Sequence, residues 1–150
     1  MVKSMKTSLS IPHFGYNEEV VMDELYKVKE QLNGKYDDIN VSYMPFLIKS
    51  ASLALKEFPI LNARLSEDEK EIVYYARHHI SIAMDTPRGL IVPNIKDVQG
   101  KSILDIARDL VHLQELGNAN KLGETELTGG TFSYVEIFFY KMNRLIIYIL

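Results

Sequence analysis

The spacing of apolar residues along the chain predicts three amphipathic helices. The first begins at Asp23, whose carboxylate can cap it, and ends at Asn33 and Gly34. The second begins after Ser42, and it ends at Phe58 because the residue before a proline avoids the helical region. Its apolar face has the three- and four-residue spacing of a buried helix side and consists of Met44, Leu47, Ile48, Ala51, Leu55 and Phe58.

The third helix carries signals at both ends. It opens at Ser102, and Asp105 three residues later resembles a capping box with aspartate in place of glutamate. Gly117 is placed where a C-cap glycine would end the helix. The apolar stripe between these ends consists of Ile103, Ile106, Ala107, Leu110 and Leu113.

Extended segments are predicted at residues 11–22, 72–75, 79–84 and 90–95. Within residues 79–84 the apolar positions Ile80, Ile82 and Met84 alternate with the other three residues, so we expect a strand with two different faces. Strands and helices are mixed without regular alternation, which indicates an α+β fold.

Composition narrows the possible functions of this domain. A net charge of -3 supplies no basic field for nucleic acid. Because the chain has no cysteine, it has neither a disulfide framework, a thiolate zinc site nor a cysteine nucleophile. Any thiol chemistry must therefore take place on a substrate's sulfur.

The last stretch, residues 134–150, is dense in apolar residues that Glu136, Lys141, Asn143 and Arg144 interrupt. Seventeen residues with these charges are too few for a membrane span, which needs about twenty apolar residues, so we expect no membrane association. A buried strand pair and an interface segment both remain possible.

Four histidines invite a metal or catalytic interpretation, which the pattern does not support. His78 and His79 are neighbours on an extended segment and point to opposite faces, so they cannot easily chelate one ion. His13 and His112 have no recognisable serine or aspartate partner for a triad. We expect structural histidines and no metal site.

Other polar residues have ordinary structural explanations. Ser42 suits a helix N-cap. Asp85 is a typical residue at the end of a strand, just before the turn at Pro87-Arg88-Gly89. Lys29 and Gln114 suit solvated helix surfaces, and residues 128–131 (Thr-Gly-Gly-Thr) suit a turn or bulge because the segment lacks the ending of a phosphate loop. Taken one at a time, none of these residues indicates an enzyme.

Together, however, six motifs resemble the catalytic domain of lipoamide acyltransferases in order and spacing. The motifs are Ile11-Pro12-His13-Phe14-Gly15-Tyr16, Ser42-Tyr43-Met44-Pro45-Phe46, Phe58-Pro59-Ile60-Leu61-Asn62-Ala63, Ala83-Met84-Asp85-Thr86, Gly89-Leu90-Ile91-Val92-Pro93-Asn94 and Leu127-Thr128-Gly129-Gly130-Thr131-Phe132. The first of them is most similar to the branched-chain type. The resemblance implies a chloramphenicol-acetyltransferase-like fold, incomplete at its C-terminus, and transfer of a branched-chain acyl group from dihydrolipoamide to coenzyme A.

The resemblance also implies a set of coenzyme A-binding residues, which in this chain are Lys29, Ser42, Asp85 and Gln114. The family typically has arginine at the position of Lys29. Lysine keeps the positive charge for a phosphate but lacks the planar fork that makes two hydrogen bonds at once. A carboxylate and an amide, as at Asp85 and Gln114, suit the neutral, hydrogen-bonding pantetheine arm.

The family's reaction needs two further groups. A histidine in a His-x-x-x-Asp-Gly motif removes the proton from coenzyme A, and a serine stabilises the oxyanion. The motif is absent from this sequence, and Val135 occupies the position of the serine, with Ser133 two residues too early. We therefore expect no catalytic residue and no activity from this chain alone. The alternative is a non-catalytic fragment that binds coenzyme A or assembles with the core.

The resemblance divides the chain into residues 1–132, the N-terminal part of the catalytic domain, and residues 133–150, a divergent tail that we interpret as a truncation product, with a natural divergent tail as the alternative. Neither a lipoyl domain nor a subunit-binding domain is recognised, so another domain would present the lipoyl group. The implied partners are acyl-dihydrolipoamide, further copies in a homotrimer and larger core, and the decarboxylase and dihydrolipoamide dehydrogenase components. The implied location is the mitochondrial matrix in a eukaryote or the cytoplasm in a bacterium.

Overall fold

The computed structural model describes residues 9, 11–12, 14–36, 38–135 and 144–149. His13, Glu136, Lys141 and Asn143 lie outside the described residues. The chain divides into two compact units, of which the first comprises Met1–Tyr26 with Glu136–Leu150 and the second comprises Lys27–Val135.

Helices and short strands follow one another along the chain. The helices are α1 (Asp23–Asn33), α2 (Met44–Glu57), α3 (Ile103–Asn118) and the single turn α4 (Glu124–Leu127), with 3₁₀ turns at Pro59–Asn62 and Val98–Gly100. The strands are β1 (Tyr16–Val21), β2 (Ala63–Leu65), β3 (Ile72–Tyr74), β4 (Ile80–Ile82), β5 (Met84–Thr86), β6 (Gly89–Ile91), β7 (Asn94–Ile95), β8 (Phe132–Tyr134) and β9 (Arg144–Ile149). No helix in the described part of the chain is both long and apolar enough to cross a membrane.

The first unit contains an antiparallel pair made by β1 and β9. Tyr16 lies opposite Ile149 and Val21 lies opposite Arg144. The extended segment predicted at residues 11–22 thus contains a strand. Residues 144–149 of the apolar tail thus form one strand of a pair, and Val20 and Val21 of the facing strand are exposed.

The three predicted helices are confirmed, with changes at the ends of each, the first of them at the start of α1. Asp23 is the first helical residue rather than the cap, and together with Glu24 it places negative charge in the first turn, where the helix dipole favours it. The helix ends at Asn33 as predicted, and the Gly34 N–H donates to the Glu30 carbonyl at 2.9 Å.

Helix α2 begins without a side-chain cap. The residue before it is Tyr43, which has helical backbone angles and makes no capping hydrogen bond, so the interpretation of Ser42 as an N-cap is wrong. Pro45 in the first turn needs no N–H partner there. The helix ends at Glu57, since Phe58 precedes a proline and takes a non-helical conformation.

Helix α3 has the predicted capping box but not the predicted end. The Asp105 N–H donates to the Ser102 hydroxyl at 3.2 Å, and the Ser102 N–H donates to the Asp105 carboxylate at 3.1 Å. Gly117 is not the C-cap, because the helix continues through Asn118 and its C-cap is Ala119. Gly117 is a buried helical residue instead.

A three-stranded sheet with the order β7-β4-β8 forms the centre of the second unit. Strand β4 pairs antiparallel with β7 and parallel with β8, so Ile80 lies opposite both Ile95 and Phe132. Helices α2 and α3 pack on this sheet. The buried core they share consists of Ile48, Ile80, Ile82, Ile95, Val98, Ile106 and Leu113.

The alternating pattern of residues 79–84 does not give a solvent-exposed face in the structure. All three residues of β4 are buried, including Ser81. The glycine-rich segment covers Ser81 so closely that a Cβ on Gly130 would lie 2.2 Å from the serine hydroxyl oxygen. A central strand therefore has both faces covered although its sequence alternates.

Two hairpins complete the second unit. Strands β2 and β3 pair antiparallel, with Leu65 opposite Ile72. Strands β5 and β6 pair antiparallel, and the Thr86 hydroxyl closes their turn by donating to the Gly89 carbonyl at 2.8 Å. The strand predicted at residues 79–84 thus divides into β4 and β5, and the one predicted at 90–95 divides into β6 and β7.

Candidate functional site

Lys29 lies on α1 beside the segment that leads into α2. Its ammonium group lies 5.6 Å from the centre of the Tyr43 ring, within the range of a cation–π contact. It also lies 2.6 Å from the carboxylate of its neighbour Glu30. Because the side chain is 17% exposed, the charge is partly sheltered while still reaching solvent. The structure thus holds a positive charge next to residues 42–43.

Asn33 fastens the end of α1 to the same segment. Its side-chain Nδ2 donates to the Val41 carbonyl at 3.2 Å, and the Val41 N–H donates to its Oδ1 at 2.7 Å. Ser42 follows directly and is exposed. The sequence around Asn33 predicts only a helix stop, since no local signal distinguishes an asparagine that reaches across a loop from one that ends a helix.

Asp85 and Gln114 lie on neighbouring elements. Asp85 is the exposed middle residue of β5 and lies opposite Leu90 of β6, rather than in the turn itself. Gln114 is exposed on α3, one turn before Gly117. Gly117 is where α3 meets the β5–β6 hairpin, because a Cβ at this position would lie 2.8 Å from Ile91 Cδ1 and 3.4 Å from Thr86 Cγ2.

All four predicted site residues lie in the second unit. Lys29 and Ser42 belong to one local group, because Lys29 contacts Tyr43 and Asn33 holds Val41. The elements that carry Asp85 and Gln114 meet at Gly117, but Thr86 and Ile91 are the hairpin residues that face α3 there. Asp85 alternates with Thr86 along β5, so its side chain lies on the face of the hairpin away from α3. The structure therefore brings Lys29 and Ser42 together but not Asp85 and Gln114.

The glycine-rich segment, residues 128–131, is anchored at both ends. At its start the Thr128 carbonyl accepts hydrogen bonds from Asn94 Nδ2 at 3.0 Å and Lys96 Nζ at 2.5 Å. At its end the Thr131 N–H donates to the His79 carbonyl at 2.8 Å, and the His79 N–H donates to the Thr131 hydroxyl at 3.1 Å. These bonds fix the register at which β8 joins β4.

Val135 follows β8 with its side chain 60% exposed. Phe132 and Tyr134 pack against the core, so Ser133 and Val135 occupy the opposite, exposed side of the strand. A hydroxyl at position 135 would thus project away from the core. Ser133 shares this side but lies two residues earlier.

The adjacent histidines are each tied to a different element. His78 is buried, and its Nδ1 lies 2.8 Å from the buried Ser52 hydroxyl. His79 Nδ1 accepts the Asp97 N–H at 3.0 Å. Burial lowers the pKa of both imidazoles below the ordinary value of 6.5, because it disfavours the charged ring. Among the residues that the structure describes, no three His, Cys, Asp or Glu side chains form a group that could hold a metal ion.

The sequence has close relatives among acyltransferases. Residues 1–137 match the family model described as 2-oxoacid dehydrogenases acyltransferase (catalytic domain). The chain is 50% identical over 139 residues to the mouse (Mus musculus) lipoamide acyltransferase component of branched-chain alpha-keto acid dehydrogenase complex, covering 91% of this chain and 29% of that protein. The Bos taurus and Caenorhabditis elegans proteins of the same name are 51% and 47% identical over 139 residues, covering 91% of this chain and 29% and 31% of those proteins. The chain thus spans under a third of these relatives' length.

Solved structures of acyltransferase cores have the same fold as this chain. The dihydrolipoamide acetyltransferase of Azotobacter vinelandii superposes with a TM-score of 0.84 at 28% identity, covering 89% of this chain and 56% of that one. A truncated catalytic core of the 2-oxoacid dehydrogenase multienzyme complex from Thermoplasma acidophilum gives 0.80 at 30% identity, covering 88% and 61%. The predicted α+β acyltransferase fold and the resemblance to the branched-chain type are confirmed. This chain belongs to the 2-oxoacid dehydrogenase acyltransferase (catalytic domain) family.

Proposed function

We propose that this chain provides the coenzyme A-binding part of an acyltransferase that moves a branched-chain acyl group from dihydrolipoamide to coenzyme A within a 2-oxo acid dehydrogenase complex. The observation that carries the proposal is the identity of 50% and 51% to two mammalian branched-chain lipoamide acyltransferase components over 91% of the chain. Four exposed or partly exposed polar side chains support it, of which Lys29 and Ser42 belong to one local group.

Each of the four residues has a role that suits its chemistry. Lys29 attracts a phosphate of coenzyme A, as a point charge without the bidentate geometry of arginine. Ser42, which makes no helix cap, offers its hydroxyl to the same end of the ligand. Asp85 accepts hydrogen bonds from amide or hydroxyl groups of the pantetheine arm, and Gln114 both donates and accepts along it.

The reaction itself requires groups that this chain does not supply. The base removes the proton of the coenzyme A thiol, the thiolate forms a bond to the thioester carbonyl carbon, and the tetrahedral intermediate expels dihydrolipoamide sulfur, which takes up a proton. His79 does not fit the role of the base, because its Nδ1 accepts the Asp97 N–H and the proton of the neutral ring is therefore on Nε2. His78 does not fit it because it is buried. Val135 offers no hydrogen bond to an oxyanion. The chain alone is therefore inactive, and a complete subunit supplies the base.

Assembly and location follow from the same proposal. One solved relative is described as the cubic core of the pyruvate dehydrogenase multienzyme complex, and it superposes with a TM-score of 0.84 at 29% identity. This chain joins a trimer and a larger core, receives acyl-dihydrolipoamide from a lipoyl group on another domain, and works with the decarboxylase and dihydrolipoamide dehydrogenase components. Its location is the mitochondrial matrix in a eukaryote, since the named relatives are mitochondrial proteins, and the cytoplasm in a bacterium.

A second candidate function is a non-catalytic fragment that binds coenzyme A or assembles with the core. Val135 at the position of the family's serine favours it. In this proposal residues 1–132 keep the binding surface, and residues 133–150 are a divergent tail.

The test has two steps. Calorimetric titration of the chain with coenzyme A should give saturable binding. Absence of binding would overturn the coenzyme A-binding role in both candidate functions. Acyl transfer from an acyl-dihydrolipoamide thioester is then measured with the chain alone and with a complete catalytic domain added. If the chain raises the acyl transfer of the complete catalytic domain, the acyltransferase proposal is supported. If the chain binds coenzyme A without raising acyl transfer, the non-catalytic fragment is supported. Acyl transfer by the chain alone would overturn the assignment of the base to another subunit.

A further inference from the structure

Asn33 makes a two-point connection that resembles strand pairing. In an antiparallel ladder, two facing residues exchange an N–H and a carbonyl in both directions. The Asn33 side-chain amide performs this exchange with one backbone residue, since its Nδ2 donates to the Val41 carbonyl at 3.2 Å and its Oδ1 accepts the Val41 N–H at 2.7 Å. Val41 is 0% exposed, so both backbone groups would otherwise need partners away from water.

The connection lies beside a second contact between the same two segments. Lys29 precedes Asn33 by four residues, which places both on one face of α1. Its ammonium group lies against Tyr43, and Tyr43 and Val41 flank Ser42 on either side. Residues 41–43 thus meet α1 at two points, one turn apart on the helix, with Ser42 between them.

We propose that Asn33 is a positioning residue of the coenzyme A site, which fixes the Ser42 hydroxyl relative to the Lys29 ammonium group without touching the ligand. The inference rests on the proposed coenzyme A site. Without the Asn33 amide, Val41 would lose both of its hydrogen bonds to α1, and the ion pair of Asp38 with Arg108 would anchor the segment to α3 instead. The ammonium and the hydroxyl would then no longer keep one separation, and a ligand that needs both would bind more weakly.

A purely structural role makes a different prediction. Loss of the two hydrogen bonds would lower the stability of the chain, yet the folded molecules would bind coenzyme A as before. A positioning role instead makes the contribution of Ser42 depend on Asn33. A double-mutant cycle on the dissociation constant separates the two, because independent residues give additive effects and coupled residues do not.

The experiment titrates coenzyme A into the full 150-residue chain by calorimetry, with folding followed by circular dichroism. The variants are Asn33→Ala, Ser42→Ala and the double variant. Asn33→Asp, which keeps the acceptor for the Val41 N–H and loses the donor, is the milder change. Asn118→Ala is the matched control, because Asn118 is also the last residue of a helix but is exposed.

We expect Asn33→Ala to raise the dissociation constant about tenfold and Asn33→Asp to raise it less. Ser42→Ala should weaken binding in the native chain and have little further effect beside Asn33→Ala, and Asn118→Ala should bind like the native chain. Unchanged affinity in Asn33→Ala, or full additivity with Ser42→Ala, would overturn the inference. If Asn33→Ala does not fold, native affinity in a folded Asn33→Asp would overturn it equally. Failure of the native chain to bind coenzyme A would overturn the proposed site itself, before any variant is compared.

Discussion

Gly117 of α3 lies so close to Ile91 of β6 that a Cβ on the glycine would be 2.8 Å from Ile91 Cδ1. The same Cβ would lie 3.4 Å from Thr86 Cγ2. The helix that carries Gln114 therefore approaches the hairpin that carries Asp85 so closely that a side chain at position 117 would require Ile91 to shift. Glycine occupies this position although alanine is the better helix former.

Substitutions of Gly117 should show how helix propensity and packing each contribute to the stability of the chain. Gly117→Ala gains helix propensity of up to about 1 kcal/mol and loses a similar amount to the contact with Ile91, so we expect a change in stability within about 1 kcal/mol. Gly117→Leu also favours the helix but needs more space, and it should destabilise the chain by about 1–3 kcal/mol. Urea denaturation measures both.

Ile91→Val removes the Cδ1 atom that a Cβ on Gly117 would meet. In a chain that carries Gly117→Ala, Ile91→Val should therefore cost less stability than it does in the native chain, where about 0.5–1.5 kcal/mol is expected. Gly100→Ala is the control, because a Cβ at Gly100 would have no neighbour within 4 Å. Equal costs of Ile91→Val in both backgrounds would show that the close approach does not limit this position.

Lys29 should be improved as a phosphate ligand by arginine. Lys29→Arg keeps the charge and adds a planar fork, which suits bidentate contact with a phosphate and stacking on the Tyr43 ring. We expect the dissociation constant for coenzyme A to fall a few-fold, and Lys29→Ala to raise it about tenfold with a weaker dependence on salt. Titrations at two ionic strengths test this. Lys70→Ala on the β2–β3 hairpin is the control, and equal losses in both alanine variants would indicate only a general charge effect.

Val135→Ser should restore an oxyanion donor but no activity by itself, because the base is still missing. The change should cost little stability, since the Val135 side chain is largely exposed. The assay adds a complete catalytic domain whose own serine at this position has been replaced by alanine. In that assembly we expect Val135→Ser to raise acyl transfer about a hundred- to thousandfold over the native chain.

Ser133→Ala is the matched control for position 135, because Ser133 lies on the same exposed side of the strand two residues earlier. It should leave acyl transfer in the mixed assembly unchanged. The contrary outcome is acyl transfer by the native chain in the mixed assembly that Ser133→Ala abolishes. The serine role would then belong to Ser133, and the correspondence between position 135 and the family's serine would be wrong.

Elements with signals in adjacent residues could be predicted from the sequence. The start of α3 is fixed by Ser102 and Asp105, and the end of α2 by Pro59, so the chain near each boundary determines it. The strands 79–84 and 90–95 were predicted as single elements because their apolar patterns are continuous. The second is interrupted at Pro93, which has no N–H to donate, although its carbonyl accepts the Ile82 N–H at 2.8 Å.

Features that depend on distant residues could not be predicted. Gly117 was interpreted as a helix end because the sequence does not show that Ile91 and Thr86 lie against it. The alternation around Ser81 predicts two different faces, but it does not show that residues about 50 positions later cover the face of Ser81. The site residues are named from the family resemblance, and the closeness of Lys29 to Ser42 depends on Asn33, which belongs to none of the six motifs.

His78 and His79 should make stability fall as the pH decreases from neutral. Burial lowers the pKa of both rings, and Lys56 and Lys49 near His78 and Lys96 and Arg77 near His79 act in the same direction, although Asp97 opposes it at His79. The unfolded chain takes up protons near pH 6.5, while the folded chain takes them up only at lower pH. Stability from the neutral rings is thus fully present above pH 6.5 and is lost as the pH falls through the folded pKa values, by at most about 1.4 kcal/mol per pH unit for each histidine.

Urea denaturation between about pH 7.5 and about pH 5 measures this slope. His78→Gln and His79→Gln each remove one titrating ring, so each should flatten the slope, and the double variant should flatten it most. His78→Gln should also lower stability at neutral pH, because the buried Ser52 hydroxyl loses the imidazole nitrogen that lies 2.8 Å away. A double variant with the slope of the native chain would assign the pH dependence to other groups and would show that neither histidine is held neutral by the fold.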